Sequence, residues 1–216
     1  MVELGGVDAV FSLQYRLSDW SGLGRFPAAL QDALTGYLFL LQVIGIPSRQ
    51  IIVCGDSAGG NLTIALLRYI EEFGAASNIP RPRCATLFSP WVAPFDYNTE
   101  TNRQRGSDFL PTSFLRWGAE TYAAGLTNPA SNPYITPLGN SFATPVPIFV
   151  NTGTAEIFYD AIEAWVGEMK EIAANQIELH HEEAALHDTF LVADRLGFEE
   201  SARKVVSAMG AFIRDH

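Results

Sequence analysis

The chain has 216 residues, 48% of them hydrophobic and 18% charged, which suits one domain with a substantial core and excludes a disordered segment. Its 14 basic and 24 acidic residues leave a formal charge of −10, which argues against nucleic acid or any other phosphate-backbone partner. The longest apolar stretch, Tyr37 to Leu41, is far too short to span a bilayer, and no basic segment with an apolar run opens the chain, so neither a membrane span nor a signal peptide is expected.

In chain order, Val10 to Tyr15 alternates Phe11, Leu13 and Tyr15 against Ser12 and Gln14, the period of a strand. Pro27 opens a helix that runs to about Ile44, with Leu30, Leu34, Tyr37, Leu38 and Leu41 at helical spacing, and Gly45 and Pro47 end it. Gln50 to Cys54 holds the run Ile51-Ile52-Val53-Cys54, expected as a strand buried on both faces. Ala58 to Phe73 reads as a helix, and Cys84 to Ser89 as the third strand. A polar and aromatic excursion follows, with one helix at Thr112 to Ala123. Pro147 to Thr152 is a strand, Phe158 to Ala174 a helix, Gln176 to His181 the last strand and Phe198 to Arg214 the closing helix. This alternation predicts an α/β fold, a mostly parallel sheet with helices on both faces, as a single domain over residues 1–216. Active sites in such sheets lie at the C-terminal strand ends. Cys54 and Cys84 stand in apolar runs with no spaced framework, which predicts two buried free thiols and a reducing, cytoplasmic compartment.

Gly55-Asp56-Ser57-Ala58-Gly59 has the form G-x-S-x-G, between a strand and a helix. A lone pentapeptide could hold an incidental serine. The strand-turn-helix context makes Ser57 a candidate nucleophile, lifted off the sheet end by a turn that only small flanking residues allow. The helix N-terminus behind it sets the Ala58 N–H where an oxyanion would form.

A serine needs a base, and the base an orienting acid, in the chain order Ser, then Asp or Glu, then His. The four histidines, His180, His181, His187 and His216, all follow Ser57. His216 is terminal, and His180 and His181 finish a strand beside Glu182 and Glu183 as a solvated edge. His187 lies in the loop beyond, where a base could swing over Ser57. Metal-ligand spacing such as H-E-x-x-H is missing, so neither metal nor cofactor is expected. Glu156 follows the strand ending at Thr152 and is the candidate acid. Asp160, one turn on, reads as a carboxylate at a helix start.

Together these residues resemble the hormone-sensitive-lipase-like serine esterases of the α/β-hydrolase fold. Tyr15-Arg16-Leu17 with Phe26-Pro27-Ala28-Ala29-Leu30-Gln31-Asp32-Ala33, Gly55-Asp56-Ser57-Ala58-Gly59-Gly60-Asn61-Leu62 and Ser89-Pro90-Trp91 match ordered blocks of that family. Gly153, Glu156 and Asp160 fill its G-x-x-D-x-x-x-D frame with Glu for the first Asp. His187-Asp188-Thr189-Phe190 is one residue longer than its H-x-F. The resemblance implies a carboxylic-ester hydrolase that forms an acyl-enzyme on Ser57, with His187 as base and Glu156 as acid. Trp91, Phe95, Phe109 and Trp117 are candidates to line an ester site, or equally to pack the core.

The family's H-G-G-G oxyanion loop stands upstream of the Tyr15 block and is absent here, as is the strand before it. That strand would lie between the Tyr15 and Ser57 strands, so a gap in the sheet or a forced pairing is expected, along with weak activity. The alternative readings are a weak or inactive small-molecule binding protein on the same scaffold and a related acyl-transfer enzyme.

Overall fold

The computed structural model describes residues 5–216. Met1–Leu4, part of the segment expected to carry no leader, lies outside the described residues.

Four strands form one parallel sheet in the order β1-β2-β3-β4: β1 Ile52–Asp56, β2 Cys84–Phe88, β3 Ile148–Gly153 and β4 Ile177–Glu182. Six α-helices are described: α1 Ala28–Leu38, α2 Ser57–Ser77, α3 Thr112–Tyr122, α4 Tyr159–Lys170, α5 Thr189–Leu196 and α6 Glu199–Asp215. Phe39–Ile44 prolongs α1 with wider π-type turns until Gly45 takes the left-handed conformation that ends it.

The strands sort their side chains by parity. Ala85, Leu87, Ile148 and Val150 point to the face where Ile64 and Leu67 of α2 meet Ile162, Trp165 and Met169 of α4. Cys84, Phe88 and Phe149 point to the other face, under Val205, Met209 and Phe212 of α6. Both faces of β2 and β3 are therefore dry, and every residue of these two strands is buried. A third apolar cluster joins α1 to α2 through Ala29, Leu30, Tyr37, Leu62 and Leu66.

Two strand expectations need correction. Val10–Tyr15 belongs to no strand. Its alternation is real, since Leu13 and Tyr15 pack on the α1–α2 cluster and Phe11 stacks on Phe39. Its backbone has no strand beside it to bond to. A cavity of about 670 Å3 lies between this segment and β1, lined by Phe11, Leu13 and Tyr15 on one side and Ile52, Val53 and Cys54 on the other. The expected gap is thus present, and the two segments do not close on each other.

The same gap explains the second correction. β1 is not buried on both faces: Ile52 and Val53 are only partly covered and Cys54 is exposed, because β1 has a neighbour on one edge alone. Cys84 is fully buried and both thiols are unpaired, so only Cys54 departs from the expected burial. Helix α5 was not anticipated. It lies in the stretch between the His187 loop and the closing helix, where the apolar pattern predicts no element.

Candidate active site

The residues at the C-terminal ends of the strands meet at one point. β1 runs straight into α2, and Ser57 at the junction has φ +50°, in the left-handed region. For a residue with a side chain that costs about 1–3 kcal/mol and persists only where the surroundings enforce it. Here they do. A Cβ on Gly55 would lie 2.1 Å from the Gly59 carbonyl oxygen, and one on Gly60 would lie 2.8 Å from the Pro90 Cβ. The turn is that tight because β1 and α2 press together, and glycine alone fits at Gly55. The Trp91 N–H donates to the Ser57 carbonyl at 3.0 Å. The buried Asn61 amide donates to the carbonyls of Trp91 and Ile135, each at 2.8 Å, so α2 and the excursion after β2 are locked together.

Glu156 sits in the loop after β3 with no solvent exposure. Its Oε1 accepts from the Thr152 hydroxyl at 2.6 Å and from the Gly153 N–H at 2.9 Å. Its Oε2 lies 2.9 Å from Nδ1 of His187. A buried carboxylate needs such partners, and three polar groups supply them. The other ring nitrogen of His187, Nε2, lies 2.9 Å from the Ser57 Oγ. The structure therefore brings Ser57, His187 and Glu156 into one chain of contacts. Asp160 stands apart on α4, exposed and paired with Arg103. His180 stacks on Phe149, and His181 pairs with Glu163 on the outer edge. No group of three or more His, Cys, Asp or Glu side chains among the described residues is placed to hold a metal ion.

One neighbour of His187 was missed from sequence. The Asp188 carboxylate lies 3.2 Å from the same Nε2 that faces Ser57. Burial would push the His187 pKa down, but contacts with Asp188 and Glu156 outweigh it and raise it to about 10. Desolvation holds the Asp188 carboxyl above the usual carboxylate range. The signal was visible as the extra residue between His187 and Phe190, although its direction was not.

The four candidate aromatics divide. The exposed Phe109 ring is centred 6.3 Å from the His187 ring. Trp91 stacks at 5.9 Å on Phe158, whose edge meets His187 at 4.8 Å, so Trp91 reaches the site through a residue that sequence reasoning overlooked. Trp117 is half-buried against Phe114, and Phe95 is half-buried outside these ring contacts. None of the four lines the cavity beside β1, which reaches Asp56 and Gly59 on either side of the turn that carries Ser57. Ala58, the candidate oxyanion donor, occupies the first turn of α2 and is exposed.

Residues 8–191 match the model of the α/β-hydrolase fold family. The chain is 33% identical to an acetyl-hydrolase of Streptomyces hygroscopicus over 157 residues, covering 72% of this chain and 49% of that one. It is 29% identical to an ethyl acetate hydrolase of Pseudomonas putida over 141 residues, covering 62% of this chain and 41% of the other. Among solved structures, an esterase of the bacterial hormone-sensitive lipase family superposes with a TM-score of 0.80 at 24% identity, over 94% of this chain and 64% of that one. The chain spans about half the length of the curated relatives it matches. No helix among the described residues is long and apolar enough to cross a membrane. With a parallel sheet, a serine on the turn between β1 and α2 and a family match over most of its length, the chain belongs to the α/β-hydrolase fold family.

Proposed function

We propose that the chain carries the catalytic centre of a serine-dependent carboxylic-ester hydrolase acting on esters of short acyl groups. The observation that carries this reading is the run of contacts from Ser57 Oγ to His187 Nε2 and from His187 Nδ1 to Glu156 Oε2, each 2.9 Å. The relatives named for acetyl and ethyl acetate hydrolysis support the ester class and the small acyl group.

In this mechanism, neutral His187 takes the Ser57 proton on Nε2 as Oγ attacks the ester carbonyl. Glu156 accepts the Nδ1 proton in a hydrogen bond, fixes the tautomer and stabilises the imidazolium that forms. The Ala58 N–H, at the positive end of α2, donates to the oxyanion. His187 then protonates the leaving alcohol, and water enters by the reverse sequence to release the acid. Phe109 and Phe158 beside the imidazole supply apolar cover, with Trp91 stacked behind. No cofactor takes part.

Steady-state hydrolysis of phenyl acetate by the purified chain and by Ser57→Ala is the test. The expected result is turnover by the chain that falls about 10⁴-fold or more in the variant. Turnover that survives Ser57→Ala would remove the reading.

A further inference from the structure

The Nε2 atom of His187 faces two oxygens. Ser57 Oγ is 2.9 Å away and Asp188 Oδ2 is 3.2 Å away. A neutral imidazole whose Nδ1 donates to Glu156 offers Nε2 as an acceptor. A serine hydroxyl satisfies that acceptor, whereas a carboxylate offers no proton and repels it. A protonated ring reverses the preference, because Nε2–H then donates to the carboxylate.

We propose that Asp188 is a positioning residue for the His187 base: its carboxylate competes with the Ser57 hydroxyl for Nε2 and favours the ring form in which that nitrogen carries a proton. The idea rests on the Ser57–His187 reading above and adds the condition under which that pair works.

The surroundings of Asp188 allow this role. Asp188 has φ +49°, a conformation that Asp, Asn and Gly adopt more readily than other residues. Its N–H donates to Ser89 Oγ at 3.3 Å, at the end of β2, which helps hold the loop against the sheet. Its Oδ1 is buried and finds no hydrogen-bond partner, and its Oδ2 lies within ion-pair distance of Nε2. Among the described residues the charged groups facing the pair are acidic: Glu156 from the loop after β3, on Nδ1, and Asp56 from the end of β1, which acts on Asp188. The remaining neighbours, the Ser57 and Ser89 hydroxyls and the Phe109 and Phe158 rings, carry no charge. Flanking carboxylates stabilise the imidazolium against the desolvation that would otherwise discharge it.

The sign follows. A raised His187 pKa leaves the ring protonated below it, and an imidazolium cannot take the Ser57 proton. Hydrolysis therefore rises as the pH climbs through that pKa, when Nε2–H is lost to solvent and the hydroxyl displaces the carboxylate as partner. Removing the carboxylate lets the ring discharge at lower pH, while making it a weaker base once discharged.

The test uses the whole chain labelled with 13C- and 15N-histidine, with the His187 signals assigned by a His187→Gln variant. Ring shifts are followed from pH 5 to pH 11 in the unaltered chain, in Asp188→Asn and in Asp188→Gly, both of which suit a positive φ. The expected result is a His187 midpoint well above neutral that falls by about one pH unit or more in both variants, a tenfold change in the proton equilibrium. In phenyl acetate hydrolysis the rising limb of kcat/KM should shift down by the same amount. The variants are then faster at pH 7 and no faster on the alkaline plateau. A merely structural role would lower activity at every pH without moving the limb. A His187 midpoint that stays in place in either folded variant overturns the proposal. The two readings fail separately, since Ser57-independent turnover would discard the esterase mechanism while the ring titration still decides the role of Asp188.

Discussion

At the scale of single residues, the site turns on which carboxylate holds Nδ1 of His187. Glu156 does so from a fully buried position with Thr152 and Gly153 as further donors. Glu156→Gln keeps the shape, but it removes the charge that stabilises the imidazolium and presents an amide that can favour the wrong tautomer. A fall in kcat of about 10²–10⁴-fold, with little change in KM, is expected in phenyl acetate hydrolysis. Asp160→Asn, by contrast, removes only an exposed pair with Arg103 and should leave kcat within about twofold. Equal losses from the two substitutions would contradict the assignment. The positions of Ser57, Glu156 and His187 were legible because each follows a recognisable strand. Asp188 was legible as a residue and not as a contact, because its direction depends on a left-handed φ that no periodicity announces.

Among the elements, β1 and α2 meet in a turn with no room for a side chain at Gly55. Gly55→Ala would set a Cβ 2.1 Å from the Gly59 carbonyl oxygen, a backbone atom that cannot swing away. The β1–α2 join must then open, at a cost of about 1–3 kcal/mol or more, and Ser57 must shift relative to His187. Urea unfolding should show the lost stability, and activity should fall further than stability does. Gly167, in the third turn of α4, is the counter-case, since a Cβ there meets nothing within 4 Å. Gly167→Ala should stabilise by about 0.5–1 kcal/mol, because the unfolded chain loses freedom that the helix never used. Unchanged or lower stability would show that α4 carries a constraint invisible in its packing. Element positions agree with the sequence reading to within a few residues for β2, β3, β4, α3, α4 and α6, where periodicity and burial coincide. Helix α5 escaped notice because its eight residues are too few to show a clear apolar stripe, and Val192 interrupts its helical dihedrals.

At the scale of the whole molecule, the cavity between residues 9–15 and β1 leaves one sheet edge open. Backbone N–H groups of β1 that point away from β2 have no strand partner, whereas β2 and β3 are paired on both sides. In hydrogen–deuterium exchange the outward-facing β1 amides should exchange faster than any amide of β2 or β3. Uniform protection across the sheet would mean that the cavity closes in solution. Thiol chemistry probes the same opening. Cys54 lies on the cavity wall while Cys84 has no exposure, so a thiol reagent should modify one cysteine in the folded chain and two in denaturant. The reaction at Cys54 should be slow at neutral pH, because the cavity wall around this reagent-accessible thiol desolvates its thiolate and the Asp56 carboxylate repels it, which raises the pKa.

The α/β alternation, the tight turn that carries Ser57 and the chain order of Ser57, Glu156 and His187 can all be read along the chain. Each is encoded locally, in the period of apolar residues or in the small residues a sharp turn demands. That residues 9–15 form no strand, that Cys54 is exposed and that Asp188 meets Nε2 of His187 follow from how distant segments pack. A strand exists only if another backbone lies beside it to exchange hydrogen bonds, and burial only if a neighbour covers the face. The contact between Asp188 and His187 likewise depends on how a loop is held against the sheet, a matter of three-dimensional placement that neighbouring residues in the chain do not specify.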